Sequence, residues 1–194
     1  MAYFKITKAA RDHLSKRDPK LGAHIAKCKI PRRELFESPF ECLVCCIIQQ
    51  QISGAVAEKI SERAFALLGD ITPARVLKAG AEKLRACGIS GRKAESIIAL
   101  AEAAKSGALN FGELKSLPDA EVCARLCAFQ GVGAWTAEMF LIFCLGRPDV
   151  FSPRDFGVRS GFEALHGRRA DIKKYAKKYS PYGSAASIYY WQTP

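Results

Sequence analysis

The chain has 194 residues and is 49% hydrophobic, enough for one folded unit with a real core, and no apolar run approaches the length of a membrane span. Its formal net charge of +11 points to a polyanionic partner, most often nucleic acid, and no isolated amphipathic basic tail argues for a membrane surface. Met1–Lys20 carries no apolar core of a secretory leader, so the eight cysteines read as reduced thiols inside helical patterns rather than as a disulfide framework.

Apolar residues recur at helical spacing almost everywhere, and no alternating run of useful length occurs, which predicts an all-α protein. Thr7–Lys16 is a first short helix, stopped by Asp18-Pro19, with a second over Leu21–Lys27 and a linker over Pro31–Ser38. Pro39–Gln51 is the first strong helix, with an apolar stripe of Phe40, Leu43, Val44, Ile47 and Ile48 and a glutamine-rich end. Ser53 caps Gly54–Leu68, and Thr72 caps Pro73–Ala79. Ala81–Ala86, Gly91–Lys105 and Phe111–Lys115 follow. Ser116 and Asp119 flank Pro118 at a capping-box-like start of Ala120–Ala128. After Asp155 come Asp155–His166, Ala170–Tyr179 and Gly183–Trp191. Lys173, Lys174, Lys177 and Lys178 form one face of Ala170–Tyr179, read as a solvated face. Cys42-x-x-Cys45 fits one helix face, and no second pair follows at zinc-finger spacing. His13, His24 and His166 stand isolated in the sequence and receive no role.

The stretch Leu126–Asp155 organises the rest. A helix ends near Phe129, a tight turn Gln130-Gly131-Val132-Gly133 follows, and a second helix runs over Ala134–Leu145. The glycines permit positive φ and close approach of backbone. The opening N–H groups of the second helix lack intrahelical acceptors, a geometry that suits a phosphate. A lone Gly-x-Gly also fits an ordinary helix–turn–helix corner. Ser152-Pro153-Arg154-Asp155 is in itself a good helix start, with Ser152 as N-cap and Asp155 as a first-turn carboxylate.

Taken whole, the stretch resembles the helix-hairpin-helix DNA glycosylases, in particular the 3-methyladenine type. Gly131-Val132-Gly133-Ala134-Trp135-Thr136-Ala137 looks like their G-[VI]-G-x-W-T-A hairpin. Gly88-Ile89-Ser90 with Lys93-Ala94 resembles G-[IL]-S-x-x-K-A, Gln49–Ser53 resembles G-Q-[QL]-[IV]-S, and Pro181–Ser184 resembles P-[WY]-R-S. The resemblance covers roughly Pro39 to Trp191. It implies two helical lobes, residues 39–145 and residues 1–38 with 146–194, with a cleft between them and the N-terminal residues packed on the C-terminal helices.

The resemblance also assigns roles. Asp155 takes the place of the catalytic aspartate, where an anion stabilises the sugar cation formed as an N-glycosidic bond breaks. Many relatives have two successive acids there; Arg154 stands in the first place. Trp135 occupies the position at which bifunctional relatives carry a Schiff-base lysine, which implies an enzyme without strand-nicking activity. Trp135, Met139, Tyr182 and Phe156 are the expected pocket residues, the indole face favouring cationic bases. Gly183 replaces the usual arginine.

Gln51 stands where relatives wedge a side chain into the gap left by a flipped nucleotide. Gln130, Gly131, Val132, Gly133, Ala134 and Thr136 are expected at the DNA backbone. The carbonyls of Cys127, Phe129 and Val132 correspond to the ligands of a monovalent cation in relatives. No cysteine follows Cys144, which speaks against the iron–sulfur cluster that some relatives carry, and no other cofactor is expected. The implied partner is double-stranded DNA with a damaged base, the implied state a monomer in the cytoplasm or nucleus, and the implied substrate an alkylated purine such as 3-methyladenine or 7-methylguanine. Two other readings stay open: a glycosylase for oxidised or deaminated bases, and a non-catalytic hairpin module, which would need neither Asp155 nor Trp135.

Charge and hairpin together predict binding dominated by the DNA backbone. Affinity for undamaged duplex is expected to fall steeply with salt, with a log–log slope of about −0.9 per phosphate contacted. Binding isotherms across a salt series check this, and a salt-independent affinity refutes it.

Overall fold

The computed structural model describes residues 2–29 and 32–193. Met1, Ile30, Pro31 and Pro194 lie outside the described residues, and with Pro31 the start of the expected Pro31–Ser38 linker. The described residues contain helices and no strand beyond a single bridge between Tyr3 and Glu34. The helices are α1 (Lys8–Arg17), α2 (Pro19–Lys27), α3 (Pro39–Gln49), α4 (Gly54–Leu68), α5 (Pro73–Ala86), α6 (Gly91–Ser106), α7 (Phe111–Leu114), α8 (Asp119–Cys127), α9 (Ala134–Phe143), α10 (Phe156–His166), α11 (Ile172–Tyr179) and α12 (Gly183–Tyr190). Among the described residues no helix is long and apolar enough to cross a membrane. The chain divides into two compact units, residues 36–140 and residues 1–35 with 141–194.

Unit 36–140 is built on α3. Ser38 caps it by accepting from the Glu41 N–H, Pro39 opens it, and every residue from Cys42 to Ile48 is buried. The helix stops at Gln49, two residues short of the expected end, because Gln50 leaves the α-region and Gln51 takes φ +55°. Helices α4 and α6 contact α3, and α5 contacts α4 and α6. Gly80, at φ 75° and ψ 168°, breaks α5 where the sequence places a boundary between two helices. Thr72 caps α5 with its side chain, whereas Ser53 holds the N-cap position of α4 without a side-chain bond.

The other unit buries Ala10, Leu14, Leu21 and Ile25 of the N-terminal helices together with Val158, Phe162, Tyr179, Ala185, Ala186, Tyr189 and Tyr190. Inside this apolar core lies a polar network invisible in the sequence. Asp18, 2% exposed, caps α2 by accepting from the Leu21 N–H at 3.1 Å. Its other oxygen accepts from Tyr179 Oη at 2.7 Å and Tyr190 Oη at 3.4 Å, and His166 Nε2 lies 3.1 Å away. The two tyrosine oxygens are 2.6 Å apart, and burial pushes both hydroxyls far above the ordinary phenol range, so they stay protonated. His166 is therefore not the isolated residue that the sequence suggests. His13 and His24 also have partners, at the Lys178 and Tyr189 carbonyls.

Burial pushes His166 below the ordinary imidazole value, against the opposing pull of the Asp18 carboxylate. A base whose folded pKa is lowered favours the fold above its unfolded pKa, about 6.5, and loses that contribution as pH falls through the lower folded value. Denaturant midpoints are expected to drop between about pH 7 and 5, with part of the slope removed in His166→Gln. An unchanged slope in that variant overturns the assignment.

Candidate functional site

In unit 36–140 the hairpin joins α8 to α9. Its turn is closed by the Val132 N–H donating to the Phe129 carbonyl at 3.1 Å. Gly131 has φ +82°, and a Cβ on it would collide with the Ser96 side chain of α6. Gln50 reaches across from the end of α3, and its side-chain amide donates to the Gly131 carbonyl at 2.9 Å and to Thr136 Oγ1 at 2.7 Å. Lys93 donates to the Ile48 carbonyl at 2.9 Å and the Gln50 carbonyl at 2.7 Å, satisfying the last acceptors of α3. Desolvation lowers the Lys93 pKa. Three separate sequence motifs thus form one hydrogen-bonded assembly. Gln50 and Lys93 are the residues that sequence reasoning missed; their place inside quoted motifs was the available signal.

This assembly sorts the expected hairpin residues. Gln130, Gly131 and Gly133 are exposed, and Ala134 is half-buried. Thr136 and Val132, expected at DNA, are 1% and 5% exposed. Their side chains point inward because the turn and the first turn of α9 pack down on the unit. Thr136 holds the hairpin through Gln50 rather than presenting its hydroxyl to a partner. Trp135 is half-buried and Met139 is 3% exposed. Gln51 is exposed, carried in the left-handed region directly after the residue that Lys93 fixes. Cys127 is exposed and Phe129 half-buried.

In the other unit Asp155 is 8% exposed. The helix start differs from expectation. Ser152 is fully buried and closes a turn, its carbonyl accepting from the Asp155 N–H at 3.1 Å, with Pro153 at the second position, where its fixed φ suits a turn. Asp155 is itself the N-cap of α10: Oδ1 accepts from the Val158 N–H at 2.7 Å. The same oxygen accepts from Trp191 Nε1 at 2.7 Å. The linker that delivers Asp155 is tied to α12. Ser184 Oγ donates to the Arg147 carbonyl and accepts from the Val150 N–H, Ser187 Oγ donates to the Val150 carbonyl, and the Ser184 N–H donates to the Pro148 carbonyl.

Gly183, the departure from the arginine pattern, has a local cause. Its N–H donates to Asp149 Oδ1 at 3.0 Å, and a Cβ there would press on that carboxylate and on Phe151. Tyr182 is half-buried, edge-on to His13. Phe156 is 75% exposed, which excludes a core role.

Comparison with known proteins bears on what this arrangement does. The sequence profile described as HhH-GPD superfamily base excision DNA repair protein matches residues 44–180. The chain belongs to the HhH-GPD superfamily.

Within this superfamily the chain is 34% identical over 166 residues to DNA-3-methyladenine glycosylase 1 of Schizosaccharomyces pombe, covering 81% of this chain and 73% of the relative. The crystal structure of the S. pombe 3-methyladenine DNA glycosylase in complex with abasic DNA matches with TM-score 0.85 at 31% identity, over 95% of this chain and 96% of that one. That of a DNA-3-methyladenine glycosidase from Bacillus halodurans matches with TM-score 0.79 at 35% identity, over 99% and 92%. Both likenesses extend beyond the segment matched by the superfamily profile to nearly the whole chain. Among the described residues no group of three or more His, Cys, Asp or Glu side chains is arranged to hold a metal ion.

The two hairpin glycines of this HhH-GPD protein carry different constraints. Gly131→Ala adds both left-handed strain and a clash with Ser96, and is expected to cost about 2 kcal/mol or more of stability. Gly133 has open space around it, so Gly133→Ala is expected to leave stability within about 1 kcal/mol of wild type. Paired urea melts check the contrast, and equal costs overturn it.

Proposed function

We propose that the protein is a monofunctional DNA glycosylase that hydrolyses the N-glycosidic bond of alkylated purines of the 3-methyladenine and 7-methylguanine type in base excision repair. The observation that carries this reading is Asp155: a shielded carboxylate fixed at a helix start, in the superfamily's catalytic place. Support for the substrate class comes from the similarity to proteins named 3-methyladenine glycosylases.

Breaking the C1′–N bond sends its electron pair into the base and leaves positive charge on the sugar. The Asp155 carboxylate stabilises that charge and orients the water, whose oxygen bonds to C1′ and whose proton passes to the carboxylate or to solvent. An alkylated base that is already cationic becomes neutral as it leaves, so no acid is needed to protonate it. Trp135 supplies an aromatic face to such a base. It has no amine for a Schiff base, so the reaction stops at an intact abasic strand. Gln51, two residues beyond the end of α3, fills the gap left by the flipped nucleotide. Backbone N–H groups at the Gly131–Gly133 turn and the start of α9 hold phosphate without reading sequence.

The carbonyls of Cys127, Phe129 and Val132 would be the ligands of a monovalent cation, as the family resemblance implies. The Phe129 carbonyl accepts one N–H and keeps a second lone pair. Such an ion would fix the turn and take no part in the chemistry. The enzyme acts as a monomer on duplex DNA in the cytoplasm, or in the nucleus of a eukaryote.

Asp155→Asn tests the reading cleanly, because an amide oxygen still caps Val158 and still accepts from Trp191 while the charge is gone. Excision of 3-methyladenine is expected to fall by roughly 10²–10³-fold, the scale of a lost electrostatic group, with stability and damaged-duplex affinity retained. Single-turnover release across 3-methyladenine, 7-methylguanine, hypoxanthine and uracil is expected to favour the two cationic bases. Wild-type activity in Asp155→Asn refutes the catalytic role, and faster uracil release refutes the substrate class.

A further inference from the structure

We propose that Trp191 is a positioning residue for the reaction, acting through Asp155; the proposal rests on the reading of Asp155 as the group that stabilises the sugar cation. The indole has a single donor, and it is directed at Asp155 Oδ1 at 2.7 Å, across 36 residues of sequence. A hydrogen bond from N–H to a carboxylate is charge-assisted and strongly orienting. With the Val158 N–H on the same oxygen, the carboxylate is held from two directions, by its own helix and by α12.

The indole is itself held in place. It stacks on Phe143 at 5.6 Å between centroids and 25° between planes. Its backbone N–H donates to the Ser187 carbonyl at the end of α12. Gly157, two residues after Asp155, makes room for it: a Cβ there would stand 2.7 Å from Trp191 Cδ1. Helix α12 is buried throughout Gly183–Tyr190 and also carries the ties to the linker 147–150. The arrangement therefore spends three separate features, a glycine, a stacking partner and a rigid helix, on bringing one N–H to one carboxylate oxygen. Packing alone would need the ring but not the donor.

Trp191→Phe separates the two. It keeps an aromatic ring against Phe143 and removes the N–H. Single-turnover excision of 3-methyladenine is expected to fall about tenfold or more, the effect of one hydrogen bond to a charged group. Affinity for duplex with an abasic-site analogue and the urea midpoint are expected to stay near wild type. Because the effect passes through the Asp155 charge, adding Trp191→Phe to Asp155→Asn is expected to lower the residual rate little further. Gly157→Ala, whose Cβ would displace the indole at 2.7 Å and stand 3.3 Å from Asp155 Oδ1, disturbs the same hydrogen bond, is expected to show the same loss and the same coupling, and serves if Trp191→Phe does not fold.

Wild-type excision by both Trp191→Phe and Gly157→Ala overturns the proposal. So does a tenfold loss that persists in full in the Asp155→Asn background, because the role is then independent of the carboxylate. Wild-type excision by Asp155→Asn strikes the reading of Asp155 itself and removes the proposal with it. A rate lost in Asp155→Asn but kept in Trp191→Phe and Gly157→Ala strikes the proposal alone.

Discussion

A carboxylate that is 8% exposed needs donors, and Oδ1 of Asp155 has two of them. One comes from the first turn of the helix that Asp155 caps, and costs the fold nothing extra because that N–H is unpaired at any helix start. The other comes from an indole at the far end of the chain. Several local features of residues 141–194 surround that second bond. The linker 147–152 is tied down by serines on α12, Gly183 allows Asp149 to close against the backbone, and Gly157 clears space for the ring. The cap bond at Asp155 is therefore compatible with the catalytic role proposed for it. Together with the indole it holds the carboxylate in one orientation.

The hairpin unit follows the same logic with neutral donors. The turn exposes Gln130, Gly131 and Gly133, and exposed backbone lacks partners of its own to keep it rigid. Rigidity is supplied from beneath. Gln50 binds the turn carbonyl and the Thr136 hydroxyl, Ser96 fills the space under Gly131, and Lys93 takes the carbonyls at the end of α3. The lysine is chosen by geometry as much as by charge, since a long stem can deliver one ammonium to two acceptors at once. Gln51 then projects from a residue whose neighbours are fixed, in a left-handed conformation that the surrounding bonds hold in place.

The core of the other unit holds a cluster of four polar side chains that satisfy one another. Asp18, His166, Tyr179 and Tyr190 lie among leucines and phenylalanines, yet each has a partner within hydrogen-bond distance. Such a network fixes the relative register of α1, α2, α10, α11 and α12 more sharply than apolar contacts do, because hydrogen bonds are directional.

The sequence by itself determined the helices, the hairpin and the family. Helical periodicity, prolines at first positions and glycines after last ones are local properties, and they survive without knowledge of what packs on what. Some boundaries moved for local reasons, as where Asp18 caps α2 at Pro19 and Asp171 caps α11 at Ile172; others moved where a tertiary bond intervened, α3 ending early at Gln50 and α10 starting with Asp155 as its own cap instead of Ser152. The motif residues Asp155, Trp135, Gln51 and Gly131 were legible because each stands at a fixed place in a motif of the superfamily. Only the tertiary structure decided that Thr136 and Val132 face inward, that Gln50 and Lys93 hold the hairpin, that His166 is buried beside Asp18, and that Trp191 reaches Asp155. Each of these depends on residues far apart in sequence meeting in space. Period and propensity carry no information about such pairings, because the energy that selects them appears only when the helices pack.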